Sequence, residues 1–148
     1  MPGVYRSGIG LLDTLAPAGD LVIRLWLACV FFQSGLAKLQ NWQGTLYLFQ
    51  SEYQVPLLPP VWAAYAGTAA ELILPVLLAV GLATRFSALA LFAFNIVAVL
   101  SYPELGEVGL KDHQHWGLLL LVPLLHGPGK ISLDHLLCRH FAVPGRLG

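Results

Sequence analysis

Four apolar stretches of helical length, joined by short polar connections, make up most of this chain of 148 residues. A helix that crosses a lipid bilayer needs about 20 largely apolar residues, and each stretch reaches or approaches that length. Charged residues make up only 11% of the chain, against about 25% in typical soluble domains. The chain therefore predicts an all-α fold, an integral membrane four-helix bundle with spans at about Asp20–Leu39, Val61–Thr84, Phe86–Tyr102 and His113–His126.

The connection between the first two stretches, about residues 40–60, has a helical pattern of its own. Its apolar side chains recur at the spacing of one helix face, with polar residues on the other faces; the apolar set is Trp42, Leu46, Phe49 and Tyr53. This pattern is typical of an amphipathic helix that lies in the membrane interface. An irregular loop rich in aromatic residues is the alternative.

The apolar stretches divide the chain into three parts. Residues 1–19 are expected to form a cytoplasmic N-terminal segment, 20–127 the membrane domain, and 128–148 a cytoplasmic amphipathic tail. In the tail, Ser132 can cap a short helix, with Asp134 in its first turn, where the helix dipole favours an anion.

Basic residues set the expected orientation in the membrane. Six of them fall on the side of the two termini, namely Arg6, Arg24, Arg85, Lys130, Arg139 and Arg146. Lys38 and Lys111 fall on the opposite side. Because cytoplasmic connections carry the excess of Lys and Arg, both termini are expected in the cytoplasm.

Glu71 is the side chain that points most directly to a site. It lies ten positions into the second stretch, about 15 Å deep at 1.5 Å per residue, near the middle of the bilayer. A carboxyl group there costs roughly 2.5–3.5 kcal/mol, so it should face the bundle interior with a partner or a proton. Gly67 and Pro75 share its face: Gly67 allows close helix packing, and Pro75 leaves the Glu71 carbonyl without an amide donor at an expected kink.

Two basic residues on one face of the first stretch are candidate partners of Glu71. Lys38 could reach it from the outer side or Arg24 from the inner side, and Gly35 makes room between the helices. Snorkelling of both basic side chains to the lipid headgroups is the alternative. Asn95, midway along the third stretch, is expected mainly to form an interhelical hydrogen bond. His113 and His115 lie at the start of the fourth stretch, and Asn95 and His115 are candidate ligand contacts.

Composition and spacing also argue against several function classes. A net charge of zero offers no basic face for nucleic acid. Cys29 and Cys138 do not form a Cys-x-x-Cys pair, and no histidine spacing typical of a metal site is present. Haem is not expected, because the first three stretches contain no histidine to supply a ligand.

Three motifs in order resemble the bacterial DoxX family of membrane proteins. The first runs from Arg24-Leu25 through Phe31 and Gly35 to Lys38-Leu39. The second is Glu71 followed by Gly81-Leu82-x-Thr84-Arg85, and the third is Gly127-Pro128-Gly129-Lys130-x-Ser132-Leu133-Asp134. The resemblance spans roughly residues 20–137.

The resemblance implies a four-helix protein of the bacterial inner membrane, and family members have been linked to thiosulfate:quinone oxidoreductase and to thiol-handling enzymes. It leads to a first hypothesis, a quinone-linked redox subunit in which Glu71 handles protons and Arg24, Lys38, Asn95 and His115 contact the carrier. The alternatives are a non-catalytic anchor for a partner enzyme, in which Glu71 is a structural clamp, and a permease component. The residues alone do not decide whether the chain is an enzyme, which cofactor or redox partner it binds, or whether it forms a homo-oligomer.

Overall fold

The computed structural model describes residues 2–141, without the side chains of residues 2–9, 11, 12 and 141. This part of the chain forms six helices and no strand. They are α1 (Pro2–Gln40), α2 (Trp42–Ser51), α3 (Pro60–Val80), α4 (Thr84–Ser101), α5 (Gly106–His126) and α6 (Leu133–Phe141). The predicted all-helical fold is confirmed. Arg146 and the Arg6 side chain, which entered the orientation argument, lie outside the described residues.

The four long helices pack in a closed ring: α1 on α3, α3 on α4, α4 on α5, and α5 back on α1. Large aliphatic and aromatic side chains from all four helices meet in one buried cluster, which includes Leu27, Phe31, Leu78, Leu91 and Leu120. The outer surface is rich in exposed large apolar side chains, as expected for helices that face lipid.

Three segments of the described chain are long and apolar enough to cross a membrane: Asp13–Gln40, Pro60–Val80 and Thr84–Ser101. The expected fourth span falls in α5, which has 21 residues, the same length as α3. Its first half is polar, however, and carries Glu107, Lys111 and Asp112. The helix also begins at Gly106 rather than near His113. A fourth membrane crossing therefore stays a prediction.

The amphipathic helix expected in the first connection is confirmed as α2. Asn41 caps its N-terminus, since the Asn41 side chain accepts a hydrogen bond from the Gly44 amide at 3.1 Å. Its apolar face packs on the first half of α3, where Phe49 meets Ala63 and Ala64. The helix thus covers one end of the bundle, and only its other faces are exposed.

At the opposite end of the bundle, Arg24 holds the connection that follows α5. This guanidinium is 1% exposed and donates to the carbonyl oxygens of Pro128 and Ile131, both at 2.6 Å. Gly81, at a φ of 71°, lets the connection approach, because a Cβ there would lie 2.5 Å from both Arg24 Nη1 and Ser132 Cβ. The GPGK-x-SLD motif therefore docks on α1 and on the α3–α4 turn.

Ser132 and Asp134 end this connection with two different caps. Ser132 accepts from the amide of His135 at 3.1 Å and so caps α6, as predicted. Asp134 lies in the first turn of α6, but its carboxylate reaches α4, where it accepts from the amides of Ala83 and Thr84 at 2.8 and 2.9 Å. Arg85 is exposed beside this turn, with a longer 3.4 Å hydrogen bond to the Leu125 carbonyl.

Candidate functional site

A buried ion pair joins α1 to α3. Lys38 Nζ lies 2.5 Å from Glu71 Oε2, and the Glu71 side chain is only 7% exposed. Ser34, one turn before Lys38, donates to Glu71 Oε1 at 3.1 Å and receives a hydrogen bond from Lys38 at 3.0 Å. Glu71 is therefore satisfied by one cation and one hydroxyl, and of the two candidate cations Lys38 is its partner.

Gly35 brings the two helix backbones together at this ion pair. A Cβ at Gly35 would lie 2.9 Å from Glu71 Cβ and 3.1 Å from the Glu71 carbonyl carbon. Real Cβ atoms essentially never approach another atom to 2.9 Å, and the backbone contact is also tight, so a side chain here would force α1 away from α3. The predicted role of Gly35, to make room between the helices, matches this contact.

The ion pair lies in the wall of a cavity of about 530 Å³ between the long helices and α2. Most of its lining is apolar, including Phe31, Phe49, Leu74, Phe94 and Trp116. Gly67 also lines it, and a Cβ there would make ordinary van der Waals contact with the rings of Phe49 and Phe94, at 3.6 and 3.7 Å. The volume falls within the range of about 300–1,000 Å³ that is typical of small-molecule sites.

A few polar groups converge on this apolar space. Besides Lys38, Glu71 and Ser34, they are Tyr53, Ser101, Tyr102 and His113. The hydroxyl of Ser101 is buried and has no hydrogen-bond partner within the described residues. Burial raises the pKa of Tyr53, and the negative charges of the nearby Tyr102 and Glu71 raise it further, so its phenol stays neutral and can donate a hydrogen bond. The arrangement, an apolar chamber with isolated polar groups, is typical of ligand sites.

The fourth long helix contributes His113 rather than His115. His115 is exposed, and its Nδ1 bonds the Lys111 carbonyl at 2.7 Å, outside the cavity. His113 lines the cavity, and Asn95 on α4 bonds both its ring and its carbonyl. The sequence does not single out His113 as a ligand contact, but it offers a signal. His113 lies two residues before His115, so their side chains are on different faces of α5 and only one of the two can line the cavity.

The remaining predicted site residues lie elsewhere. Arg24 lies near the middle of α1, bound to the connection after α5, and it does not line the cavity. Pro75 is buried within α3, one turn after Glu71. Among the described residues, no three His, Cys, Asp or Glu side chains come close enough to hold a metal ion. Cys29 and Cys138 are both free and exposed.

Comparison with known proteins finds a matching family and similar relatives. The DoxX family model matches residues 19–103, which include α1 from Gly19 onward, α2, α3 and α4. An uncharacterised protein of Haemophilus influenzae is 35% identical over 126 residues, covering 79% of this chain and 82% of that protein. The Bacillus subtilis protein named "Putative oxidoreductase CatD" is 34% identical over 119 residues, covering 78% of this chain and 84% of its own.

No solved structure matches the chain. The family match nevertheless includes both partners of the buried ion pair, Lys38 and Glu71, and both relatives align over most of their lengths. With three apolar helices of membrane-spanning length beside this match, the chain belongs to the DoxX family of membrane proteins.

Proposed function

We propose that this DoxX-family protein is a component of a membrane redox system and binds a quinone, or a similar lipophilic carrier, in the cavity beside Glu71. The observation that carries the proposal is the combination of a 530 Å³ apolar chamber with a buried Lys38–Glu71 pair in its wall. A quinone has a flat apolar ring with two carbonyl oxygens, and its reduction adds two electrons and two protons. Such a ligand needs apolar walls, hydrogen-bond donors and a group that carries protons.

The residues of the chamber match these needs one by one. Phe31, Phe94 and Trp116 offer aromatic surfaces for the ring. Lys38 and Tyr53 offer donors for a carbonyl oxygen. The Glu71 carboxyl can take up or release a proton within the membrane, where the cost of its charge is offset by Lys38.

The other predicted ligand contacts receive different roles. We propose that Arg24 serves the docking of the connection after α5, because both of its terminal nitrogens are engaged there. Asn95 acts on the cavity through His113. His115, which is exposed outside the cavity, is left without a ligand role.

The name of the Bacillus subtilis relative, "Putative oxidoreductase CatD", supports a redox role at the level of the family. A soluble or membrane-bound redox partner would exchange electrons with the bound carrier, and association of several copies of the chain stays a prediction. Cys29 and Cys138 lie on different helices, α1 and α6, so we do not propose dithiol exchange within this chain.

We also propose that the protein lies in the bacterial inner membrane with both termini in the cytoplasm. Arg24, Arg85, Lys130 and Arg139 belong to the end of the bundle where the connection after α5 docks, whereas Lys38 and Lys111 belong to the other end. This asymmetry supports residues 1–19 and 128–148 as cytoplasmic flanks of a membrane domain at 20–127.

The substitution Glu71→Gln tests the proposed function. It keeps the shape of the side chain and removes the titrating carboxyl, so quinone reduction in membranes that hold the protein with its native partners should fall about 100-fold or more. The matched control is Glu107→Gln, an exposed carboxyl in the first turn of α5, which should leave the rate unchanged.

Protein level and helical content of the Glu71→Gln variant must be measured in the same membranes. Full electron transfer per folded molecule in this variant would overturn the proposal. A rate that falls only in proportion to the protein level would instead support the alternative function, an anchor in which Glu71 and Lys38 clamp two helices together.

A further inference from the structure

Asn95 and His113 form a two-point hydrogen-bonded pair between α4 and α5. The Asn95 side-chain nitrogen donates to the His113 carbonyl at 2.9 Å, and Asn95 Oδ1 lies 2.7 Å from His113 Nδ1. Only one orientation of the amide satisfies both contacts, because a carbonyl oxygen can accept but cannot donate. The amide nitrogen must therefore face the His113 carbonyl, and the amide oxygen must face the ring.

This orientation fixes the tautomer of the imidazole. Since Asn95 Oδ1 is an acceptor, His113 Nδ1 must carry the hydrogen. His113 is partly buried in an apolar chamber, and burial disfavours the charged ring with two N–H groups. In the neutral ring Nε2 then has a lone pair, and no partner for Nε2 exists within the described residues.

We infer that His113 is a ligand-binding residue whose Nε2 accepts a hydrogen bond from a hydroxyl group of the bound molecule, and that Asn95 is its positioning residue. The inference rests on the proposed function and adds which redox form of the carrier binds more tightly: the chamber favours the reduced, hydroxyl-bearing hydroquinone over the quinone. A quinone carbonyl cannot donate to Nε2, whereas a hydroquinone O–H can.

Ser101 is a second, independent sign that a polar ligand belongs in the chamber. It is 3% exposed, lines the same cavity, and its buried hydroxyl has no partner within the described part of the chain. An unsatisfied buried hydroxyl is costly, and a hydrogen bond to a ligand oxygen would relieve that cost. Unlike the His113 nitrogen, a hydroxyl both donates and accepts, so Ser101 can bind either redox form.

The two residues therefore make different predictions for a matched set of ligands. The set is a short-chain alkyl hydroquinone, its quinone, and its dimethyl ether, titrated into the purified full-length protein in mild detergent under argon. For the native protein, the hydroquinone should bind about fivefold to tenfold more tightly than either the quinone or the ether.

Asn95→Leu should abolish this preference, because the ring is then free to exchange tautomers and to rotate. Nitrogen-15 NMR of labelled histidine should show the Nδ1–H tautomer at His113 in the native protein and a mixture in Asn95→Leu. Ser101→Ala should instead weaken hydroquinone and quinone alike and leave the tautomer unchanged, which separates a positioning role from general damage to the cavity.

The outcomes distinguish this inference from the function on which it rests. Equal binding of quinone and hydroquinone by the native protein, or the Nε2–H tautomer at His113, would overturn the inference and leave the proposed function standing. Failure of every ligand in the set to bind would overturn both. A hydroquinone preference that survives Asn95→Leu would overturn the positioning role of Asn95.

Discussion

Gly35 determines how closely the charged pair of this protein is enclosed. Because it has no side chain, α1 packs directly on the backbone of α3 at Glu71, and Ser34 and Lys38 on either side of it reach the carboxylate. A wider gap would leave Glu71 with weaker partners in a medium where an isolated carboxylate is costly. The smallest residue in the site thus sets the geometry of its most polar group.

We predict that Gly35→Ala destabilises the protein by about 1–3 kcal/mol, because the added methyl group overlaps the Glu71 backbone. The measurement is thermal unfolding in mild detergent, followed by circular dichroism. Gly19→Ala in the same helix is the matched control: nothing lies within 4 Å of its Cβ, so it should be neutral or slightly stabilising. Equal stability of the Gly35→Ala and native proteins would contradict the close packing.

The position of Glu71 could be predicted from sequence, since a carboxyl group at mid-membrane must face the protein interior. Its partner could not, because Lys38 and Arg24 share a face of α1 and differ only in the end from which they would reach. The choice depends on a contact distant in sequence: Arg24 binds the carbonyls of Pro128 and Ile131. His113 was missed for a related reason, since its selection over His115 depends on how α5 is rotated against α4.

Among the elements, α6 is notable for stabilising a helix other than its own. Asp134 accepts from the first amides of α4, where the positive end of the helix dipole favours a carboxylate. Burial on its own raises the pKa of Asp134, but hydrogen bonds from Thr84 and Ala83, with the Arg24 charge nearby, outweigh it and lower the pKa below its usual value. The last described helix and the α3–α4 turn therefore form one unit.

We predict that Asp134→Ala costs about 1–2 kcal/mol of local stability, the usual effect of losing a helix cap. Because folding lowers the pKa of Asp134, its contribution to stability is complete above the unfolded pKa of about 3.9. That contribution is lost as the pH falls through the pKa of Asp134 in the folded protein. Hydrogen exchange of the Ala83 and Thr84 amides, corrected for intrinsic rates, measures it. The control is Asp134→Asn, which keeps a capping oxygen but cannot ionise. Protection of the two amides in that variant should be smaller than in the native protein and independent of pH between about 3 and 5. Equal pH dependence in the native protein and in Asp134→Asn would contradict the role of Asp134.

The individual helices could be predicted from the sequence to different extents. The helix α2 was predictable from its apolar spacing, but its packing on α3 was not, because the same face suits either lipid or a neighbouring helix. Hydropathy places the start of the fourth stretch at His113, later than the start of α5 at Gly106, because it detects only the apolar half of a helix whose first half is polar. Hydropathy identifies the apolar turns of a helix, and it gives no information on polar turns that continue the same helix.

The two ends of the helix bundle differ in structure and in charge. One end carries the α3–α4 turn, α6 and most of the described basic residues, while the other carries α2 over the cavity that holds Lys38 and Glu71. The family match ends at residue 103, yet α5 supplies His113 and Trp116 to the same cavity. The ligand chamber thus combines the region matched by the family model with a helix outside it.

This polarity yields a prediction for orientation in the membrane. Cys138 is exposed on α6, at the end rich in basic residues, so a membrane-impermeant maleimide should label it in inverted inner-membrane vesicles and not in intact cells. Cys29 lies within the Asp13–Gln40 span and should react with neither preparation, and Cys138→Ser should abolish labelling. Labelling of Cys138 from outside intact cells would reverse the orientation, and the cavity beside Lys38 would then lie nearer the cytoplasm.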